Sequence, residues 1–216
     1  MTTLVVIAKE CLPGRVKTRL HPALTYEQAA ELAAASLDDT LAVALALPAN
    51  RRILAFDGVI PPPAAADFEI VPQISGTLDE RLSAIFDSLS DSVLLIGMDT
   101  PQLTADLLDP VFTEWDDSTD AWFGAAHDGG FWALALGKPT PGLQRGHLIR
   151  GVPMSRPDTG DRQLARLRNA GLRVRHLPLL TDVDTIEDAD AVARVAPHSR
   201  FAATFLAMRL EEPDIE

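Results

Sequence analysis

Short apolar runs alternate with segments of helical periodicity along most of this chain, and that alternation constrains its fold more than any other feature. Residues 4–8, 52–56, 92–97, 121–125, 131–136 and 173–177 read as strands, too short and too evenly apolar for half-exposed helices. Between the first two, residues 26–47 place Ala30, Ala34, Leu37, Leu41 and Leu45 at helical spacing, and Thr25 with Gln28 forms a capping box at the start. The first unit is therefore βαβ, and the order of the rest predicts a Rossmann-like α/β fold, a three-layer αβα stack around a mostly parallel sheet.

Further helices are expected at 78–89, carrying Leu82, Ile85, Phe86 and Leu89 behind a Thr77–Glu80 capping box, and at 160–170, ending at Gly171. One near Thr104 should bury Leu107, Val111, Phe112 and Trp115, with Pro110 kinking or dividing it. Another follows Asp184. The amphipathic stretch 201–210 is expected to pack on the domain or, as the less favoured alternative, to mediate a dimer. The prolines of 58–66 make that stretch a loop, and 137–157, with Pro139, Pro141, Pro153 and Pro157, reads as a mobile acceptor-side flap.

At 216 residues and 47% hydrophobic, residues 1–216 suit a single domain. A formal net charge of -12 argues against nucleic acid and anionic membranes as partners, since both need an extended basic face. No apolar run is long enough to span a membrane and the chain opens without a basic leader, so a cytoplasmic location is expected, as monomer or homodimer. The lone Cys11 excludes an internal disulfide and has no neighbour that would make it a nucleophile.

Against this acidic background, GRVKTRL at 14–20 concentrates three cations directly after the first strand. Gly14 permits close backbone approach, while Arg15, Lys17 and Arg19 offer charge and donors to phosphate oxygens. The spacing is that of neither a P-loop nor a dinucleotide fingerprint. Asp99 in GMDTP, 97–101, falls at the carboxyl end of a strand, where open α/β sheets bind ligands. An acid there, facing a cationic loop, is what Mg2+ (or Mn2+) bridging carboxylate and phosphate requires. In TDVDT, 181–185, extended backbone would turn Asp182 and Asp184 to one side, with either able to join Asp99 at the metal; Thr185 and Asp188 also read as a capping box. Asp128 in HDGGF could accept from a ligand hydroxyl or act as base, or simply form a turn. Gln73, Gly76 and Arg81 stand at a helix start that could meet an anion or a base edge.

With these motifs in view, the chain resembles the glycosyltransferase A-like transferases of unknown substrate within the nucleotide-diphospho-sugar transferase superfamily. The resemblance rests on AK followed by PGRVKTRL (8–20), LDDT (37–40), PQ with G-x-LDER (72–81), GMDTPQL (97–103), DGGF (128–131) and DVDT-x-ED (182–188). It implies a GT-A, Rossmann-like sheet with mixed strands near one end, with Ala8, Lys9, Gly14, Arg15, Lys17 and Arg19 about the nucleotide, and a metal on Asp99 with Asp182 or Asp184. The chain departs from the family at Cys11, usually proline; at Phe131, usually tyrosine; and at Met154, Ser155 and Arg156, usually Trp-Ser-Thr. The last two changes fall in the presumed acceptor pocket.

These readings lead to a Mg2+-dependent transferase that takes a nucleoside triphosphate or a nucleoside diphosphate sugar and a small acceptor. Nucleotidyl transfer is favoured slightly, with Arg15, Lys17 and Arg19 stabilising the β- and γ-phosphates. Glycosyl transfer through Asp128 is the alternative, and a noncatalytic nucleotide-binding regulator is the reading from another class.

Overall fold

In the computed structural model, which describes residues 1–116, 118–140 and 142–211, seven strands form one sheet in the order β3-β2-β1-β4-β6-β5-β7. They are β1 (Thr2–Lys9), β2 (Arg51–Asp57), β3 (Glu69–Pro72), β4 (Ser92–Ile96), β5 (Ala121–Ala125), β6 (Phe131–Leu136) and β7 (Val174–His176). All are parallel except β6, which inserts antiparallel between β4 and β5. The predicted fold class is thus the observed one. The sequence reading omitted β3, an edge strand whose side chains are mostly exposed and so carry no buried signature.

Helices α1 (Tyr26–Ala46), α3 (Ala105–Leu108) and α4 (Pro110–Thr113) cover one face. There Leu37, Leu41, Leu108 and Val111 pack on Leu4, Val6, Leu94 and Ile96. Helices α2 (Leu78–Ser88) and α5 (Thr159–Asn169) cover the other, where Phe86 and Leu167 meet Val5, Val93 and Leu95. Successive residues of β1 and β4 therefore alternate between two cores, which explains their unbroken apolarity. Leu45, expected on the buried stripe of α1, is exposed, and Ala44 takes its place. Steps of four residues drift about 40° each around a helix of 3.6 residues per turn, so the stripe passes from Leu41 to Ala44. Pro110 divides the third predicted helix into α3 and α4, which bury Leu108 and Val111 and leave Leu107 and Phe112 half-buried.

Helices α6 (Ile186–Val195) and α7 (Arg200–Glu211) complete a smaller cluster, in which Phe201, Ala202, Phe205 and Met208 are buried with Leu32, Val183 and Val192. The tail does pack on the domain. Asp39 fixes the joint: its two carboxylate oxygens accept the Arg200 and Phe201 amides at 3.0 and 2.9 Å, capping α7 from a neighbouring helix. The LDDT motif thus has a structural use. Asp39→Ala should lower unfolding free energy by about 1–2 kcal/mol, the cost of losing a helix cap, read by urea denaturation.

Within the stretch expected to be a flap, residues 145–152 are packed instead: they include a 3-10 turn (Arg145–Leu148) and bury Arg145, Leu148, Ile149 and Val152. Prolines in this stretch mark a path without regular helix, which sequence alone does not distinguish from mobility; Pro141 lies outside the described residues. Among the described residues no helix is long and apolar enough to cross a membrane.

Candidate functional site

The strand order reverses between β1 and β4, with β2 and β3 on one side and β6, β5 and β7 on the other. Loops leaving the carboxyl ends of β1 and β4 there separate and leave a crevice. Lys9, Val16, Lys17, Thr18, Arg19, Met98, Asp99 and Asp184 line it, enclosing about 140 Å3. Met98 ties its walls together, accepting the Lys9 amide on Sδ and the Ser36 hydroxyl on its carbonyl at 2.7 Å.

Lys17 organises the crevice. Its backbone is left-handed (φ 46°), which turns the side chain inward at the start of a 3-10 turn (Thr18–Leu20) and leaves it only 8% exposed. The buried ammonium lies 2.8 Å from Asp99 Oδ1 and 3.3 Å from Asp184 Oδ1. Arg19 reaches the other oxygen of Asp184 at 3.0 Å. Burial alone would depress the lysine, yet the carboxylates of Asp99 and Asp184 outweigh it and hold Lys17 above the usual lysine range. Three elements distant in sequence therefore meet at one ammonium.

Asp182 stands beside this cluster. Val183, between the two aspartates, is buried and donates its amide to the Asp99 carbonyl at 3.0 Å, which locks the DVD segment to the end of β4. Burial, followed by the like charges of Asp99 and Asp128, pushes the Asp182 carboxyl up to about 7. The sign follows from linkage. A carboxyl that rises from 3.8 to about 7 on folding favours the protonated native state, so its contribution is present below 3.8 and lost as pH rises through about 7. Asp182→Asn should therefore stabilise the ligand-free chain at pH 8 by roughly 1–3 kcal/mol and flatten its stability-pH curve above pH 4, measured by urea denaturation.

The other predicted residues take clear places. Gly14 (φ 71°) makes the turn that the loop needs, and Arg15 is exposed at the loop surface. Gln73 donates to the Ala8 and Ala55 carbonyls at 2.8 and 2.9 Å, and Arg81 donates to Gln73 Oε1 at 3.0 Å, so this pair seals the ends of β1 and β2. The α2 N-terminus beside them is already occupied: Glu80 accepts the Thr77 amide at 2.9 Å and crowds Gly76. Asp128 accepts the Gly130 amide at 2.8 Å in the β5–β6 turn. That turn is clamped to α5, since Gly160 donates to the Gly129 carbonyl at 2.7 Å and a Cβ on Gly129 would lie 1.9 Å from the Pro157 oxygen. Thr185 and Asp188 do form the capping box of α6. Burial pushes the Cys11 thiol up to about 11, leaving it inert.

Sequence reasoning missed Thr18 and Met98, which line the crevice. Their position beside charged motif residues was the available signal. Among the described residues no three His, Cys, Asp or Glu side chains form a ready metal cage. The donor set nevertheless suits Mg2+ or Mn2+. Its acids supply hard oxygens, a cation already sits between Asp99 and Asp184, and the crowding that lifts Asp182 is what a dication would relieve.

The sequence profile of a family described as an uncharacterized protein conserved in bacteria (DUF2064) matches residues 30–156. No curated protein matches the chain. Among solved structures, the fold is similar to that of a provisionally named nucleotide-diphospho-sugar transferase of Desulfovibrio desulfuricans G20, with TM-score 0.79 and 24% identity over 97% of this chain and 94% of the other. It is also similar to CMP:2-keto-3-deoxy-manno-octonic acid synthetase complexed with CTP, with TM-score 0.51 and 13% identity over 91% and 98% of the two chains. Rv0371C of Mycobacterium tuberculosis H37Rv, complexed with manganese, gives TM-score 0.50 and 21% identity over 89% and 97%.

Proposed function

This chain belongs to the DUF2064 family and carries the fold of nucleotide-diphospho-sugar transferases, and from that premise we propose that it is a divalent-metal-assisted, nucleotide-using transferase. Its favoured reaction is transfer of a nucleotidyl group to a small phosphorylated or carboxylated acceptor. The convergence of Lys17 and Arg19 with Asp99 and Asp184, where the strand order reverses, carries this reading. Cations beside acids at a strand-end crevice suit a metal polyphosphate better than any uncharged ligand. The CTP of the synthetase and the manganese of Rv0371C lend support from proteins of similar fold.

In this reading Asp99 and Asp184, with Asp182 beside them, hold the metal. When bound, it would neutralise charge on the reacting phosphate and orient it for in-line attack. Lys17, Arg15 and Arg19 donate to the β- and γ-phosphate oxygens and stabilise the negative charge that leaves with pyrophosphate. An acceptor oxygen attacks the α-phosphorus as the bond to the bridging oxygen breaks. Ala8 and Lys9 at the end of β1, with Gln73 and Arg81, border the base. Asp128, on the turn clamped to α5, faces the acceptor side.

One observation favours glycosyl transfer as a second reading. Asp182 and Asp184 flank a buried Val183, and such a D-x-D pair suits the metal diphosphate of a sugar nucleotide. A thermal-shift series with triphosphates and diphosphate sugars, each with and without Mg2+, separates the two. Stabilisation by Mg2+ with triphosphates, and pyrophosphate released in an acceptor screen, is the expected result. Stabilisation by diphosphate sugars alone moves the assignment to glycosyl transfer, and stabilisation without product across acceptors moves it to a regulator. No shift with either class overturns the nucleotide reading.

A further inference from the structure

The position between Asp99 and Asp184 already belongs to a cation of the protein itself. Lys17 Nζ lies within 3.3 Å of both carboxylates, and Arg19 takes the remaining oxygen of Asp184. The ammonium does not drift there from solvent. The left-handed backbone at Lys17 aims it inward, its side chain is more than nine-tenths buried, and the 3-10 turn that follows anchors Leu20 in the core. A metal taking up Asp99 and Asp184 would have to displace it, because two like charges cannot share the space between one pair of carboxylates.

We propose that Lys17 is a phosphate-released lock on the metal site, so that metal and polyphosphate bind together and neither binds well alone. Phosphate oxygens accept from Lys17 and Arg19 and draw both off the carboxylates, which then turn their oxygens to the metal. The coupling is reciprocal: a metal on Asp99 and Asp184 frees the same two cations for phosphate. The consequence is discrimination against free metal and against nucleosides lacking phosphates. This inference rests on the metal and nucleotide assignment above and adds the coupling to it.

The test is Mn2+ binding to the full chain, read from the electron paramagnetic resonance of free Mn2+. Lys17→Met should tighten binding of Mn2+ alone by about tenfold or more, within the range of ordinary site-to-site couplings. Lys17→Arg, which keeps the charge, should not. Asp99→Asn placed on Lys17→Met should abolish the gain. In the unmodified chain, which avoids any question of folding, inorganic phosphate should raise Mn2+ affinity by a similar factor. If Asp99→Asn weakens Mn2+ binding but neither Lys17→Met nor phosphate changes it, the metal site stands and the lock is wrong. If Mn2+ binding ignores Asp99 altogether, the metal assignment falls and the lock with it.

Discussion

Asp99→Asn is expected to lower kcat/KM of the proposed transfer reaction by about 10^2–10^3-fold, the scale for removing one preorganised charge-stabilising group, while the chain stays folded. Asn keeps the shape of the side chain and removes the charge that pairs with Lys17 and that the proposed metal would require. The fold is insensitive because the Asp99 side chain is 41% exposed and its ion pair with Lys17 leaves Asp184 as a second partner. What Asp99 contributes to architecture is its carbonyl, which receives the Val183 amide and survives the substitution. A ligand at 100 times its dissociation constant stabilises a native protein by about 2.7 kcal/mol, or roughly 5–10 °C for a chain of this size. That increment from Mg2+ and nucleotide should appear in the unmodified protein and vanish in Asp99→Asn at equal ligand concentration. An undiminished shift would remove Asp99 from the site.

Arg145→Ala should be the most destabilising single substitution away from the crevice, by about 3–5 kcal/mol in urea denaturation, as when one member of a buried polar network is deleted. Arg145 is 4% exposed and is held by backbone carbonyls. Nη1 donates to the carbonyls of Asp91 and Gly137 at 2.7 and 3.0 Å, and Nη2 donates to those of Phe86, at 3.0 Å, and Leu89. Phe86 and Leu89 close α2, so the guanidinium serves as its C-terminal cap and joins it to the ends of β4 and β6. Gly146, next in the chain, is pinned to Asp87 by its amide at 2.7 Å. Alanine would leave these buried carbonyls without donors and open a void where the side chain ran. Arg145→Lys should recover little, because one ammonium cannot reach acceptors on two sides as a planar fork does. A loss below 1 kcal/mol would show that water replaces the fork.

These two residues differ in how visible they were beforehand. Asp99 announced itself, because an acid directly after an apolar strand in a run of alternating elements falls at a carboxyl end whichever way the strands are ordered. Arg145 lay in a proline-rich stretch read as a flap, and nothing local distinguishes an arginine that will be buried by distant carbonyls from one left in solvent. The capping boxes at Thr25, Thr77 and Thr185 were equally legible and all formed, since each involves residues three apart. The short edge strand β3 was not, because an exposed strand has no periodic apolar face.

Sequence by itself determined most of the elements, the mostly parallel character of the sheet, the cationic loop after β1 and the acids after β4 and near residue 182, all of them consequences of local periodicity, turn chemistry and charge. Only tertiary structure decided that β6 enters antiparallel between β4 and β5, and that Lys17 meets Asp184 from 167 residues away as well as Asp99. Hydrophobic patterning states which face of a strand is buried but not which strand will lie beside it. The left-handed turn that drives the Lys17 ammonium between two carboxylates depends on a loop closed at both ends by the packed core.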